Sequence, residues 1–463
     1  MDYAEIVLQK IQAAGEVRSE HIDELIKGHR PDRDRMIGLH ERYKASVAGV
    51  PVLTRTFEDA SKINNKLNND FFSDIVDTKV GYFAGVPISC QVEDEAVMEE
   101  MRLFHKRNNL PDVDSETTKM AAICGQSSRL LYIDTEGEER VCNLPPWEVI
   151  YLHTSGIEEP IYAMRYYETE RMRITGEWEA VLRVEWYDDT NVTYYVQRGQ
   201  GELFVLDEQE ETNPKEHLFD YTPIIGFSNN EELQGDCEKV LSLIDGYDRA
   251  ISDVNSEVEQ FRLAYLATFG ITIDDETLER AKRTGAFSFP DNDCDMKFVT
   301  KMLEDKIIEH HLDRLEDNIM RFAKSVNMTD EHFSGTTSGI SLRYKMLGLE
   351  NKCITAERKM STAILRMFKV LATAWKKRNV NLDWMEMEMQ FTRNFPLNLL
   401  DEAESTTKLK GMVSEATRLS MLSFVEDVEA EMERMEEESA IDLDRFMPEE
   451  PEEEPEEPEG EEE

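Results

Sequence analysis

The amino-acid sequence predicts an α+β protein that is mainly helical, and three observations support this fold class. Apolar residues recur about every 3.5 residues in two segments, 240–265 and 308–326, which is typical of long helices. Residues 128–228 contain short apolar runs separated by turn residues, which indicates strands. A hydrophobic share of 40% in 463 residues suffices for a substantial core. At roughly 150 residues per domain, this length suggests about three structural units.

The N-terminal region is predicted to be helical. Residues 1–50 carry apolar positions at helical spacing among charged residues, and Pro31 is predicted to interrupt the helix. Further helices are predicted at 94–108 and at about 115–124. Gly125 is expected to cap the second of these helices, because glycine readily adopts the left-handed conformation found there.

The strand-rich region follows directly. Between 128 and 228 the turn Asp188-Asp189-Thr190-Asn191 separates two apolar runs, which predicts a hairpin. Residues 384–391 alternate between apolar and polar side chains, as a half-buried strand does. We expect this late segment to return to the sheet formed by residues 128–228.

Two heptad patterns flank a predicted element of about 30 residues. One interpretation is an antiparallel helix pair within a single domain. The interpretation we favour is that each helix packs one narrow apolar seam sideways against identical neighbouring subunits in a ring. The candidate interface residues are Val240, Ile244, Tyr247, Ile251, Val254, Val258, Ile308, Leu312, Leu315 and Ile319.

The last third of the chain begins with a polar, glycine-bearing loop at 328–339, which is followed by a predicted long helix at about 340–377. Residues 409–435 are again predicted to be helical. The final segment, 449–463, contains 11 Glu and three Pro among 15 residues, so we expect a disordered tail.

Charge and motifs exclude several classes of function. The chain has 97 Asp and Glu against 52 Lys and Arg, so its formal net charge is −45. Because an acidic protein repels phosphate groups, this balance disfavours free-standing binding to nucleic acid and binding to anionic membranes. The N-terminus is not expected to be a signal peptide, and no apolar run reaches the ~18 residues of a membrane span.

The usual signatures of catalysis are missing from the sequence. No glycine is followed by lysine, which excludes a phosphate-binding P-loop, and there is no His-Glu-x-x-His or Gly-x-Ser-x-Gly motif. The adjacent pair His310–His311 points in directions about 100° apart on a helix, so we expect no shared metal ion. The six cysteines form no Cys-x-x-Cys pair and indicate buried thiols in a reducing compartment. We therefore expect no enzyme activity, no catalytic residues, no metal and no cofactor.

Four segments, in order along the chain, resemble the portal proteins of tailed bacteriophages, of the siphophage type. The first runs from Asn64 to Ile88 and contains Asn-Asn-Lys-Leu-Asn-Asn-Asp-Phe-Phe. The second is Phe333-Ser-Gly-Thr-Thr-Ser-Gly-Ile-Ser-Leu-Arg-Tyr-Lys345. The third is Phe391-Thr-Arg-Asn-Phe-Pro-Leu-Asn398, and the fourth lies between Val413 and Glu431. Together they span most of the chain.

The resemblance implies a portal-type ring subunit with a β-rich wing, a two-helix stem, a small α/β clip and a helical crown. The implied divisions are N-terminal helices and wing at 1–231, first stem helix at 232–267, clip at 268–300, second stem helix at 301–327, tunnel loop at 328–339, long wing helix and returning strand at 340–398, crown at 399–446 and disordered acidic tail at 447–463.

The resemblance further implies that subunits form a ring of about twelve at one capsid vertex, which serves as the channel for packaging and ejecting double-stranded DNA. An acidic lumen would repel the DNA backbone and let the duplex slide. Candidate DNA-contacting residues in and beside the tunnel loop are Lys324, Phe333, Ser334, Thr336, Thr337, Ser338, Arg343 and Lys345. For the basic residues, an ordinary solvated helix surface remains an equal alternative.

The implied partners are the terminase large subunit, a head-tail adaptor, and the major capsid and scaffolding proteins, with no membrane partner. The implied location is the virion, after assembly in the host cytoplasm. The alternative is an acidic capsid-assembly scaffold or chaperone that binds basic partners and forms no DNA channel.

Overall fold

The computed structural model of the chain describes residues 3–59, 62–154, 159–172, 176, 178–199, 201–261, 265–269, 274–285, 295–299, 305–327 and 339–394, and single residues and short runs between 404 and 435. These residues fall into two compact units, Met1–Asn394 and Phe395–Glu463. The predicted tunnel-loop residues 328–338 and the predicted acidic tail lie outside the described residues.

Two helices open the first unit, α1 at Tyr3–Ala14 and α2 at Ser19–Tyr43. The prediction of helices in this region is confirmed, but the predicted interruption at Pro31 is wrong, because Pro31 lies inside α2. Leu25 before the proline and Met36 after it are both fully buried. Burial of apolar side chains on both sides of Pro31 outweighs the backbone hydrogen bond that proline cannot donate.

Three further helices are α3 at Phe71–Ala84, α4 at Glu95–Asn108 and α5 at Leu110–Cys124. Asp94 caps α4 by accepting from the backbone N–H of Ala96 at 2.9 Å. α5 ends at Gly125, whose φ of +87° places it in the left-handed region as predicted.

The predicted strand-rich region is confirmed and forms two antiparallel sheets. The strands are β2 Gln126–Ile133, β3 Glu139–Leu144, β4 Val149–Leu152, β5 Tyr162–Met172, β6 Trp178–Tyr187, β7 Asn191–Gln197, β8 Val205–Leu206, β9 Lys215–Glu216 and β10 Ile224–Ser228. The first sheet has the order β10-β2-β3 and the second the order β4-β5-β6-β7-β8, with β9 also paired to β7. The hairpin between β6 and β7 turns at Asp188, whose carboxylate accepts from the N–H of Thr190 and Asn191.

The late alternating segment does not return to these sheets, and this part of the prediction is wrong. Only Glu388–Gln390 is a strand, β13, and it pairs with β1 at Ser89–Gln91 in a separate two-stranded sheet. The turn after α3 brings β1 to this position, where Phe391 stacks on Phe83 at 5.7 Å between ring centroids. That aromatic contact and the short β1 decide the pairing.

The central part of the chain consists of three helices and a small insert. α6 spans Leu241–Phe261, α8 spans Asp305–Ala323 and α9 spans Gly339–Lys377. Between α6 and α8, β11 at Tyr265–Phe269 pairs antiparallel with β12 at Asp295–Val299, and α7 at Asp275–Thr284 connects them. These elements fall in the ranges predicted for stem, α/β clip and long wing helix, except that Tyr265, which was predicted to lie in the first stem helix, begins β11. The function of each range stays a prediction.

One large core cluster joins α6 and α8 to the N-terminal part. It contains buried residues of α2, α3, α5, the start of α6 and the end of α8, among them Ile75, Ile123, Ile244, Ile319 and Ala323. A second cluster packs α1 and α2 against the larger sheet. The buried side of α9 continues the core with Phe368 and Trp375 against Phe104 of α4.

In the second unit, α10 spans Glu415–Leu419. Described residues at 404, 406–408, 428, 431–432 and 434–435 are helical as well. Ser414 caps α10 by accepting from the backbone N–H of Thr417 at 3.3 Å. The helix predicted for 409–435 is wrong at its start, because residues 409–414 form a turn with an isolated bridge between Lys410 and Val413. Several of the residues beyond 420 lie outside the described part of the chain.

Candidate functional site

In the sequence, the predicted DNA-contacting residues lie in or beside the connection between α8 and α9. Lys324 follows α8 directly, is exposed, and has a φ of +54°. Lys345 is exposed on the second turn of α9. Arg343 lies in α9, and its side chain is not described. The remaining candidates lie wholly outside the described residues: Phe333, Ser334, Thr336, Thr337 and Ser338. The role of all eight residues stays a prediction.

A buried charge cluster joins the end of α8, where this connection starts, to the middle of α9. Lys79 of α3 and Lys352 of α9 approach Asp236 Oδ2 at 3.1 and 3.2 Å. Lys79 also donates to Asn229 Oδ1 at 2.6 Å. Lys352 donates to the backbone carbonyl of Ala323, the last residue of α8, at 2.9 Å. α3, the 229–236 loop, α8 and α9 therefore meet at one point.

Electrostatics explain the protonation states of this cluster. Asp236 is fully buried, yet Lys79 and Lys352 lower its pKa below the ordinary value and outweigh the effect of burial. Burial lowers the pKa of Lys352, while Asp236 opposes that shift. The ammonium group also compensates the partial negative charge at the C-terminus of α8.

An extended segment runs antiparallel along one face of α6. The backbone N–H groups of Asn65, Leu67 and Asn69 donate to Ser256 Oγ, Ser252 Oγ and Asp248 Oδ1 at 3.0, 2.9 and 2.8 Å. Two residues of extended chain advance about 6.6 Å and four helical residues about 6 Å, so the two spacings match. We call residues 62–69 the strap.

Further ion pairs tie α6 to the N-terminal part. Arg42 of α2 pairs with Asp245, and Arg55 pairs with Asp253 at 2.6 Å. Asp248, Ser252 and Ser256 are all buried beneath the strap. α6 is therefore fixed by contacts on the strap side as well as by its apolar seam.

The predicted subunit interface needs a correction at its inner end. Val240, Ile244 and Ile319 are at most 2% exposed within one chain, where they pack against α2, α3 and α5. A side chain that is buried in the isolated subunit cannot contact a neighbour, so the prediction for these three residues is wrong. The first interpretation, an antiparallel helix pair within one domain, describes this half of the seam.

The outer half of the seam differs. Tyr247, Ile251, Val254, Ile308, Leu312 and Leu315 are partly exposed, and Val258 is 53% exposed. These seven residues keep accessible surface in a single chain, and their position at a subunit interface stays a prediction.

Charge is distributed unevenly among the long helices. α6 contains five Asp and Glu against one Arg, whereas α9 contains nine Lys and Arg against two Glu. Several α9 cations are paired: Lys369 with Glu159 at 3.0 Å, and Lys359 with Glu231. The formal charge is therefore −4 for α6 and +7 for α9.

Metal binding and membrane insertion are two further functions for which the described residues can be assessed. Across the described ranges, no cluster of three or more His, Cys, Asp or Glu side chains is arranged to bind a metal ion. Among the helices described, none has the length and apolar character needed to cross a bilayer.

Sequence reasoning missed the buried charge cluster and the strap. Lys79 falls on the buried face of α3 between Ile75 and Phe83, and a lysine on an apolar face is a signal that a partner carboxylate is near. The spacing of Asp248, Ser252 and Ser256 places three polar side chains on one helix face, which is the corresponding signal on α6. No sequence feature indicates that Asp236 and Ala323 complete the cluster.

Comparison with known proteins finds similarity to phage portal proteins, both in a family model and in individual relatives. The family described as "Phage portal protein, SPP1 Gp6-like" matches residues 22–442. The portal protein of Bacillus phage SPP1 is 25% identical over 457 residues, covering 94% of this chain and 89% of the relative. The portal protein of Clostridium phage phiCD119 is 24% identical over 397 residues, covering 82% and 86%.

Solved structures with similarity to the chain include two particle necks. One is titled "Neck of empty GTA particle computed with C6 symmetry", with a TM-score of 0.46 at 11% identity, covering 77% of this chain and 90% of the other. The second is titled "Neck of native GTA particle computed with C12 symmetry", with a TM-score of 0.39 at 10% identity and the same two coverages.

Proposed function

Because the chain belongs to the SPP1 Gp6-like family of phage portal proteins, we propose that its subunits close into a ring of about twelve at one capsid vertex and enclose a channel for double-stranded DNA. Family membership over most of the chain is the observation that carries the proposal. The family is one of structural proteins. Packaging and ejection of the genome would both pass through this channel.

The charge of the stem supports a channel that does not retain DNA. The chain has a net charge of −45, and α6 carries five acidic residues against one basic residue. A lumen lined by such helices repels phosphate groups over a Debye length of about 8 Å, so the duplex slides without binding to the wall.

The buried cluster supports a fixed base for the tunnel loop. Lys352 joins the last carbonyl of α8 to Asp236, and Lys79 joins the same carboxylate to α3. The end of α8, where the loop begins, is held in this way by the body of the subunit. The loop's hydroxyl groups and backbone N–H groups, with Lys324, Arg343 and Lys345 nearby, then contact DNA phosphates.

Energy for translocation comes from another protein in this proposal, because the sequence has no Gly-Lys phosphate-binding loop. The terminase large subunit would dock on the clip, and a head-tail adaptor would replace it after packaging. Major capsid and scaffolding proteins would surround the ring during assembly in the host cytoplasm, and the mature ring would remain in the virion.

The alternative from a different class is an acidic scaffold or chaperone that binds basic partners. The net charge favours it as much as it favours a channel, because both exploit repulsion of DNA and attraction of cations. The two differ in assembly: a chaperone remains a monomer or small oligomer under conditions of capsid assembly, whereas a portal forms a closed ring.

Deletion of Gly335–Ser338 tests the role of the loop. We expect rings to form as in the wild type, and DNA filling or retention in packaging reactions to fall. Deletion of four tail residues, Pro455–Pro458, is the matched control and should leave both unchanged. If the loop deletion abolishes ring assembly instead, the loop is part of the fold and the assignment is wrong.

A further inference from the structure

A polar cavity of about 220 Å³ lies beside the buried charge cluster. The 229–236 loop, the end of α8 and the middle of α9 form its walls. Lys239, Lys324 and Lys352 line it, together with the carboxylates of Glu232 and Asp236. Three lysines against two carboxylates is an unusual balance in a chain whose acidic residues outnumber the basic ones by almost two to one.

The buried cluster itself carries uncompensated positive charge. Lys79 and Asp236 have side chains only 1% and 2% exposed, and that of Lys352 is 14% exposed. Two ammonium groups therefore share one carboxylate, and both approach the same oxygen, Oδ2. A buried charge without a counter-ion is costly, so the site favours an additional anion.

Hydrogen-bond donors remain available on the cavity side. The Lys352 ammonium has three N–H groups, one of which donates to the Ala323 carbonyl at 2.9 Å, and its nitrogen forms an ion pair with Asp236 Oδ2 at 3.2 Å. In the described part of the chain, Lys239 and Lys324 form no ion pair. The amide side chains of Asn230 and Gln234 and the hydroxyl of Thr355 add uncharged polar groups to the lining.

We propose that this cavity binds a phosphate oxyanion, supplied either as inorganic phosphate or as a phosphodiester group of DNA. A tetrahedral anion presents several acceptor oxygens, and lysines reaching it from the 229–239 region, the end of α8 and α9 match that arrangement. The Ala323 carbonyl is already paired with Lys352 and so repels the anion less. Bound phosphate would join α8 to α9 and would fix the point where the loop begins.

This site is a property of the single subunit and goes beyond the portal function. Thermal unfolding of the full chain in rising inorganic phosphate tests it, with chloride and acetate at matched ionic strength as reference. We expect a saturable rise of the unfolding temperature in phosphate alone, because a ligand that binds the folded state stabilises it by mass action.

The double variant Lys239→Gln/Lys324→Gln keeps the buried cluster intact and removes two of the cavity's cations. We expect the phosphate concentration for half of the effect to rise at least about tenfold. Lys376→Gln, at an exposed lysine of α9 away from the cavity, is the matched control and should behave as the wild type.

A second arm separates the two sources of phosphate. If short double-stranded DNA produces the rise and inorganic phosphate does not, and the double variant abolishes that rise, the ligand is a phosphodiester group. An equal rise in chloride or acetate, no rise with either ligand, or an unchanged response of the double variant would each overturn the proposal. None of these results affects ring formation, so the portal function is tested separately.

Discussion

At the scale of single residues, the two ammonium groups around Asp236 predict that losing the carboxylate costs more stability than losing one of the lysines. Asp236→Asn leaves Lys79 and Lys352 buried without a counter-ion, which typically costs about 3–5 kcal/mol in the free energy of unfolding. Lys352→Met leaves a neutral Lys79–Asp236 pair and should cost less, about 1–2 kcal/mol for the lost hydrogen bonds.

Urea denaturation of the full chain measures both variants. Lys376→Met on the exposed surface of α9 is the control and should change stability by less than about 0.5 kcal/mol. Equal losses for Asp236→Asn and Lys352→Met would mean that the carboxylate does not balance both lysines.

His29 provides a pH-dependent prediction. Its Nδ1 lies 2.8 Å from the Tyr166 hydroxyl in a buried contact between α2 and β5, and burial, aided by Arg33, lowers its pKa to about 4. In the unfolded chain the pKa of His29 has its ordinary value of about 6.5, so between pH 6.5 and pH 4 the imidazole binds a proton there but not in the folded chain. Stability should therefore fall as the pH drops from about 6.5 to 4, by up to about 3 kcal/mol.

Urea midpoints between pH 7 and pH 4 test this in wild type and in His29→Gln, which can still reach the tyrosine hydroxyl. The variant should lose part of the acid dependence, whereas His310→Gln, at an exposed histidine, should keep it. An unchanged pH profile in His29→Gln would show that the pKa of His29 is the same in the folded and the unfolded chain.

At the scale of elements, the strap on α6 gives a local prediction. Ser252→Ala removes the acceptor of the Leu67 N–H, and Ser256→Ala that of the Asn65 N–H. Each unsatisfied donor costs about 1–3 kcal/mol of local stability, so these amides should exchange hydrogen with solvent faster.

Hydrogen exchange of residues 62–69 is the readout. Ser242→Ala, on the exposed side of α6, is the matched control and should leave exchange unchanged. If Ser252→Ala also leaves exchange unchanged, the strap is held by side-chain contacts such as Asn65–Glu259 and not by its backbone.

The elements also show what a sequence can predict. Periodicity located α4, α5 and α9 because each buries one face, and Asp188 predicted the β6–β7 turn through its own hydrogen bonds. Pro31 and β13 were predicted wrongly because burial around α2 and the choice of β1 as partner depend on contacts distant in sequence.

At the scale of the whole molecule, the apolar heptad face of α6 and α8 had two possible partners, the subunit's own core and a neighbouring subunit. The inner half of this face packs on the core, and the outer half keeps accessible surface. Ile244 and Ile319 contact the subunit's own core, while Val258 keeps more than half of its surface exposed. Periodicity reports that a face is apolar and not which surface covers it, so the inner half of the seam was assigned to the wrong partner. The candidate loop residues were found through family resemblance, since polar hydroxyl residues have no periodic signal.

Electron microscopy of the purified full-length chain tests the central claim most directly. The account predicts closed rings of about twelve subunits around a central hole that admits a DNA duplex, about 20 Å across. Monomers or dimers under the conditions of capsid assembly, or a closed oligomer with a blocked centre, would contradict it.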